Sequence, residues 1–371
     1  MKKYILISAA ALVAFVGCSK IESAPEALRE INFEVVKSVN TKASTTYDNG
    51  AFGTYAWYNG ASSVDVFMVN EKVDKSGSVW KCVDNTYYWP KSGTISFVSY
   101  SPFTGTSNDP NTTPAIVKGG ANDNFTYKIS YSGVTVGTDD LMYSDMATCS
   151  ETAVPTVFRH ALAKLSFGIK ANFLEFTDNT VTPASTTKWK VTVTSAKLSG
   201  LKTKGDCTLT LNSDGKSWDK PETVIGTADN PETVYIWANP DGQTAAQELI
   251  DATTYPNGVV LNASTAQDLA DAAGFVLPQV LESDAQQLEL TIHITTYLPN
   301  GNTIEEDLNP TFDLIDISSR KVWQMNQNIY YTINISPAAI DVVNPDTPQE
   351  ITFDPTIADW TSISADATIQ L

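Results

Sequence analysis

Apolar and polar residues alternate along this chain, most regularly near its two ends. INFEVVKSV puts Ile31, Phe33, Val35 and Val39 on one side of an extended strand, and Lys37 is the polar member of that face. At the far end, TSISADATIQL puts Ile363, Ala365, Ala367, Ile369 and Leu371 at odd positions, with polar residues at every even one. A period of two with one apolar face marks a half-buried strand. Between the ends, short runs of the same kind follow one another with turn residues between them. SVDVFMVN, SVWKCV, TISFVSYSPF and FTYKISY fall in the first half, and KLSFGIKA, KWKVTVTSAKLSG, QQLELTIHITTYL, NIYYTINIS and QEITFDP in the second. This pattern predicts an all-β chain folded as two tandem β-sandwiches, one per half. Two stretches read as helical: the start of VFRHALAKLSFGIKA, and STAQDLADAAGF with Gly274 as its stop. NTKASTTYDNGAFG is polar and Gly-containing and reads as exposed, while ATCSETAVPT reads as the connection between the halves.

Composition supports strands. Only 18% of the 371 residues are charged, and Thr, Ser, Val and aromatics are abundant. With 24 Lys and Arg against 42 Asp and Glu, the net charge of −18 repels nucleic acid and anionic lipid. No calcium-loop motif of the D-x-[DN]-x-[DN]-G type occurs, so no metal is expected. The opening MKKYILISAAALVAFVGC joins Lys2 and Lys3 to an apolar run too short to span a bilayer, and it ends in Gly17-Cys18. A cysteine after a small residue at that point is the bacterial lipoprotein pattern. It predicts cleavage before Cys18, acylation of that cysteine by palmitate-like chains, and anchorage in outer-membrane lipid. The expected organisation is a signal peptide over 1–17, a lipidated tether over 18–29, a first sandwich over 30–152 and a second over 153–371. Cys82, Cys149 and Cys207 remain, an odd number with no C-x-x-C pair, and they read as buried thiols.

Catalytic chemistry is not written in the chain. His160 and His293 are its two histidines, and each reads as structural, since a general base needs an orienting partner. Asp139–Asp140 and Glu305–Glu306–Asp307 are adjacent acids, which on a strand point to opposite faces and build no glycosidase pair. The chain is therefore read as a non-enzyme without cofactor. The aromatic clusters Tyr55, Trp57, Tyr58 and Tyr87, Tyr88, Trp89 have two readings: a stacking platform for a glycan, or core and cross-strand packing.

Several pieces, taken in order, resemble the fimbrillin family, the type V pilins that build surface fimbriae of certain Gram-negative anaerobes. They are the lipoprotein cysteine, NTKAS, DLMYS, FRHALAKLSFGI, FVLPQ, NIYYTINIS and ITFDPTIADW. The resemblance implies two transthyretin-like β-sandwiches and export as a lipoprotein precursor. It further implies that a trypsin-like or arginine-specific protease removes the first strand, leaving a groove for an extended strand of a neighbouring fimbrial subunit. In the family the cut commonly follows Arg in a T-R-A triplet; here the triplet is Thr41-Lys42-Ala43. Lysine suits a trypsin-like enzyme, whereas a strictly arginine-specific one would pass it over. The nearest arginine is Arg29, and cutting there would leave Ile31, Phe33, Val35 and Val39 attached to the body. Either Lys42 is the site, or the chain stays uncut as an anchor or accessory subunit.

On pattern alone, 361–371 reads equally as an edge strand of the second half or as a strand offered to another molecule. The resemblance implies the donor role. Its eleven residues reach roughly 36 Å when extended at about 3.3 Å each, enough to run along a sandwich. Expected partners are thus other fimbrial subunits, the maturation protease, membrane lipid and a glycan or protein receptor. A surface-anchored glycan-binding adhesin is the alternative.

Overall fold

Alternation in the sequence becomes burial in space. Strand Gln287–Tyr297 buries Leu288, Leu290, Ile292 and Ile294, while Glu289, Thr291 and His293 point the other way. The computed structural model describes residues 29–35, 47, 50–60, 64–109, 115–119, 124–131, 140–150, 153–171, 174–211, 218–241, 246–269, 274–318, 321–335, 350–357 and 367–370. Among them the only helix is a single turn, Leu314–Ile317. The all-β expectation is borne out.

Both helical expectations fail on described residues. Phe158–His160 is a strand, Ala161 and Leu162 form a bend, and Ala163–Ala171 is a long strand. Gln267–Asp268, inside STAQDLADAAGF, pairs with that long strand at Ile169 and Gly168. Helix propensity is worth a few tenths of a kcal/mol per residue, and ladder pairing with burial of Leu165, Phe167 and Leu269 overrides it.

The first half forms one nine-stranded sheet. Its members are β1 (Asn32–Val35), β2 (Phe52–Asn59), β3 (Val64–Ser76), β4 (Val79–Cys82) and β5 (Thr94–Ser101). Two further strands, β6 (Ala115–Gly119) and β7 (Asn124–Tyr131), lie elsewhere. The sheet continues with β8 (Met142–Ser144), β9 (Ala147–Cys149), β10 (Val154–Thr156) and β11 (Phe158–His160). The spatial order is β10-β1-β4-β3-β2-β5-β8-β11, with β9 also on β5. The strands at the two ends of this order, β10 and β11, are consecutive in the chain, separated by Val157 alone. The sheet therefore curls until residues 154–160 close it.

β2 and β5 are buried on both faces. Phe52, Ala56, Ile95 and Phe97 face the inside of the curl, where Ile31, Phe33, Val73 and Trp89 join them. Tyr55, Trp57, Val98 and Tyr100 face outward into a second cluster with Cys207, Leu209 and Trp237 from the second half. An outer face this apolar needs a cover. Strand Lys204–Leu211 contributes to it and pairs with β7, from Tyr131↔Gly205 to Thr126↔Thr210. Pairing thus crosses the expected division at 152/153 twice: β7 joins a second-half strand, and β10 and β11 belong to the first sheet.

The second half has its own sandwich. Ala163–Ala171 runs parallel to Gln327–Ile335, which pairs in turn with Glu350–Ile357. The facing sheet is built on Ser185–Ser199 and Gln287–Tyr297. Between the two lie Phe167, Val191, Val193, Ile292, Trp323 and Tyr331, with Phe167 stacked on Tyr331 at 5.3 Å between centroids.

Candidate functional site: a slot filled by the first strand

β1 lies between two strands and pairs with both. On one side it is antiparallel to β4, with Asn32 opposite Lys81 and Phe33 opposite Trp80. On the other it is parallel to β10, with Phe33, Glu34 and Val35 opposite Val154, Pro155 and Thr156. Its start is tied as well: Ile31 N–H donates to the Tyr87 carbonyl at 2.8 Å, and Trp89 N–H donates to the Arg29 carbonyl at 2.9 Å. Ile31 and Phe33 are only 2% and 3% exposed, Val35 is half-buried and Glu34 faces solvent. The Phe33 ring meets Phe52 and Phe97 edge-on, with centroids 5.8 and 5.7 Å away. That edge-to-face geometry is the one favoured by the aromatic quadrupole. Lifting β1 out would expose two strand edges and the floor between them.

A buried carboxylate holds one wall of this slot. Glu71 accepts hydrogen bonds from Tyr87 Oη at 2.8 Å and from Asn85 Nδ2 at 3.1 Å to each oxygen. This fixes the segment whose backbone pairs with Ile31. Burial, then the Glu71 contact, pushes the Tyr87 phenol above its ordinary range. Burial, with Glu71 close by, also pushes the Cys82 thiol up to about 12.

The fimbrillin-like family model matches residues 40–360. The chain belongs to the fimbrillin-like family. A fimbrial protein of Bacteroides vulgatus has the same fold, with a TM-score of 0.52, 17% identity, and coverage of 90% of this chain and 100% of its own. A protein of Bacteroides uniformis provisionally assigned to cell adhesion aligns over 91% of this chain and 100% of its own, at 18% identity and a TM-score of 0.44. No curated protein matches the chain in sequence.

In this fimbrillin-like chain the expected site residues divide sharply. Ile31, Phe33 and Val35 come together in the first core. Cys18, Val39, Lys42 and Ala43 lie outside the described residues, as do Ile363, Ala365 and Leu371. Of the terminal strand, Ala367–Gln370 is described: Ala367 pairs with Phe353 and Ile369 with Ile351. It is the edge of the second-half sheet, beside Glu350–Ile357. The described part of the terminal strand thus occupies its own chain's sheet while β1 occupies the slot.

The other candidates lie in different settings, and both histidines have a carboxylate partner that the sequence did not show. Tyr55, Trp57 and Trp89 are buried and present no stacking face, while Tyr88 is exposed. His160 Nδ1 lies 2.7 Å from one Asp140 oxygen and 2.9 Å from the other. His293 Nδ1 lies 2.7 Å from Asp307 on the neighbouring strand Thr303–Leu308. Cys82 and Cys207 are buried, but Cys149 is only half-buried. Among the described residues no cluster of His, Cys, Asp or Glu could hold a metal ion. The sequence reading missed Tyr47. It sits in a run read as exposed, yet its ring packs among Phe52, Trp80 and Phe158. Two aromatics in that otherwise polar segment, Tyr47 and the wholly buried Phe52, were the available signal.

Proposed function

We propose that this chain is a structural subunit of cell-surface fimbriae that assembles by strand exchange and contributes to adhesion. In this reading the precursor is exported as a lipoprotein acylated at Cys18. A trypsin-like protease then cuts between Lys42 and Ala43. β1 leaves with the tether, and the slot takes the terminal strand of a neighbouring subunit, whose apolar face carries Ile363, Ala365, Ala367, Ile369 and Leu371. The observation that carries the reading is the two-sided pairing of β1, because a strand flanked on both edges vacates a place only another strand can fill. The floor gives a reason to refill it: a solvated slot would expose Phe52, Phe97 and Trp89, and burying each apolar side chain is worth about 1.5–3 kcal/mol. The uncut chain has no such drive, since Ile31 and Phe33 already occupy the floor, so proteolysis gives assembly its direction.

Lys42 fits the cut better than Arg29. The Arg29 carbonyl accepts a hydrogen bond from Trp89 N–H, and Ile31 is paired two residues on. A protease needs its substrate backbone free of such pairing. Limited trypsin digestion with N-terminal sequencing should yield a body starting at Ala43; a body starting at Glu30 would oppose the scheme. Deleting residues 361–371 should leave a folded monomer that joins no polymer, and intact polymer ladders from that truncation would overturn the donor assignment.

A further inference from the structure

We propose that Tyr47 is the end-stop of the β1 slot, the side chain that sets how far an occupying strand can run. This positioning role rests on the exchange reading above. The Tyr47 ring stacks on Phe158 at 5.0 Å and 16°, and meets Trp80 and Phe52 edge-on at 5.4 and 6.2 Å. Its hydroxyl lies 2.9 Å from Ser101 Oγ on β5. These neighbours fix its place along the slot. Trp80 is the direct partner of Phe33 on β4, and Phe158 follows Thr156, the partner of Val35, by two residues. An extended strand continuing two residues past Val35 comes level with Phe158, where the Tyr47 ring already stands.

The sequence of β1 agrees. Its inward apolar series runs Ile31, Phe33, Val35 and is interrupted at Lys37 before Val39. A ring closing the floor after the third place leaves the next position free to be polar. Tyr47 also lies on the body side of Lys42, so a cut there leaves it in the emptied domain as the fifth residue from the new end. The stop outlasts the strand it first bounds. An incoming strand then has three apolar places to fill before it meets the ring. A slip of two residues toward Phe158 drives a side chain into the ring.

The test uses the full-length protein with a site-specific protease sequence in place of residues 40–44. After cutting, it is incubated with excess labelled synthetic peptide, either residues 29–35 or residues 29–37 carrying Lys37→Leu. With Tyr47 present the two should bind within about two-fold of each other, while in Tyr47→Ala the longer should bind about tenfold tighter or more, as one newly buried Leu implies. Tyr47→Phe keeps the ring and should behave as the wild type. A tenfold preference for the longer peptide in the wild type would show that the slot runs past Tyr47 and overturn the proposal. Equal binding of the two in folded Tyr47→Ala would overturn it as well. If neither peptide binds, the exchange reading falls and the end-stop with it. Should Tyr47→Ala fail to fold, the two peptides on wild-type protein decide alone.

Discussion

Phe33→Ala should weaken the uncut chain severely. Phe33 is buried, stands over Phe52 and Phe97, and lies between β4 and β10. Truncating a buried Phe to Ala costs about 3–5 kcal/mol through lost transfer energy and the cavity left behind. Two edge-to-face contacts, each worth about 0.5–1.5 kcal/mol, place this site toward the upper end. Glu34→Ala is the control: the neighbouring residue faces solvent, and its loss should stay within about 0.5 kcal/mol. Urea unfolding followed by tryptophan fluorescence reads all the cores, the first through Trp80 and Trp89 and the others through Trp189, Trp237 and Trp323. A shift in midpoint at unchanged slope reports stability alone. A loss below about 1 kcal/mol for Phe33→Ala would refute β1 as a core strand. The same variant makes a second point. In the proposed scheme a cut after Lys42 removes the substituted residue, so the cut body would be identical to the wild type and should polymerise equally well.

Cys82 has a thiol pKa raised from 9.0 to about 12, so its protonated form favours the folded state. That stability is complete below pH 9 and declines as the pH rises toward 12; the half-buried Tyr87 and the buried Tyr143, also raised, act in the same sense. Melting temperature should therefore fall from about pH 9 upward, and a flat profile to pH 11 would contradict it. In the folded chain, Cys82 and Cys207 should resist a thiol reagent at neutral pH and react only on unfolding; rapid modification of both would contradict their burial. Gly200 has φ +69°, and a Cβ there would sit 1.9 Å from the Ala285 carbonyl oxygen. Gly200→Ala should cost at least about 1–3 kcal/mol, measured by the same unfolding assay, and a neutral result would contradict the backbone path.

Strand content was legible because burial obeys a period of two, and the runs at Ile31–Val35 and Leu288–Ile294 keep it. Partnership was not. Nothing local in INFEVV says that its neighbours are Trp80 and Val154, since pairing is decided by which distant edges remain open. The crossing of β7 to Lys204–Leu211 escaped for the same reason, as did the membership of 154–160 in the first sheet. Tyr55 and Trp57 illustrate the limit differently. Their alternation allowed a solvent-facing platform or a packed face, and only the cover supplied by Cys207, Leu209 and Trp237 separates the two. The helical reading of FRHALAK failed because Ala161 and Leu162 are wholly buried at a bend where the chain passes between cores.

The most direct measurement asks who occupies the slot after the cut. In a Cys149→Ser background, one preparation carries Lys81→Cys on β4, and a second carries cysteine in turn at Ser364, Asp366 and Thr368 of the terminal strand. The two are mixed before and after proteolysis under mild oxidation. Disulfide-linked pairs of subunits should form only after the cut, and at only one or two of the three positions. If no intermolecular link forms, and Asn32→Cys still links to Lys81→Cys when oxidation is begun only after the cut, then β1 stays in place and the exchange is contradicted.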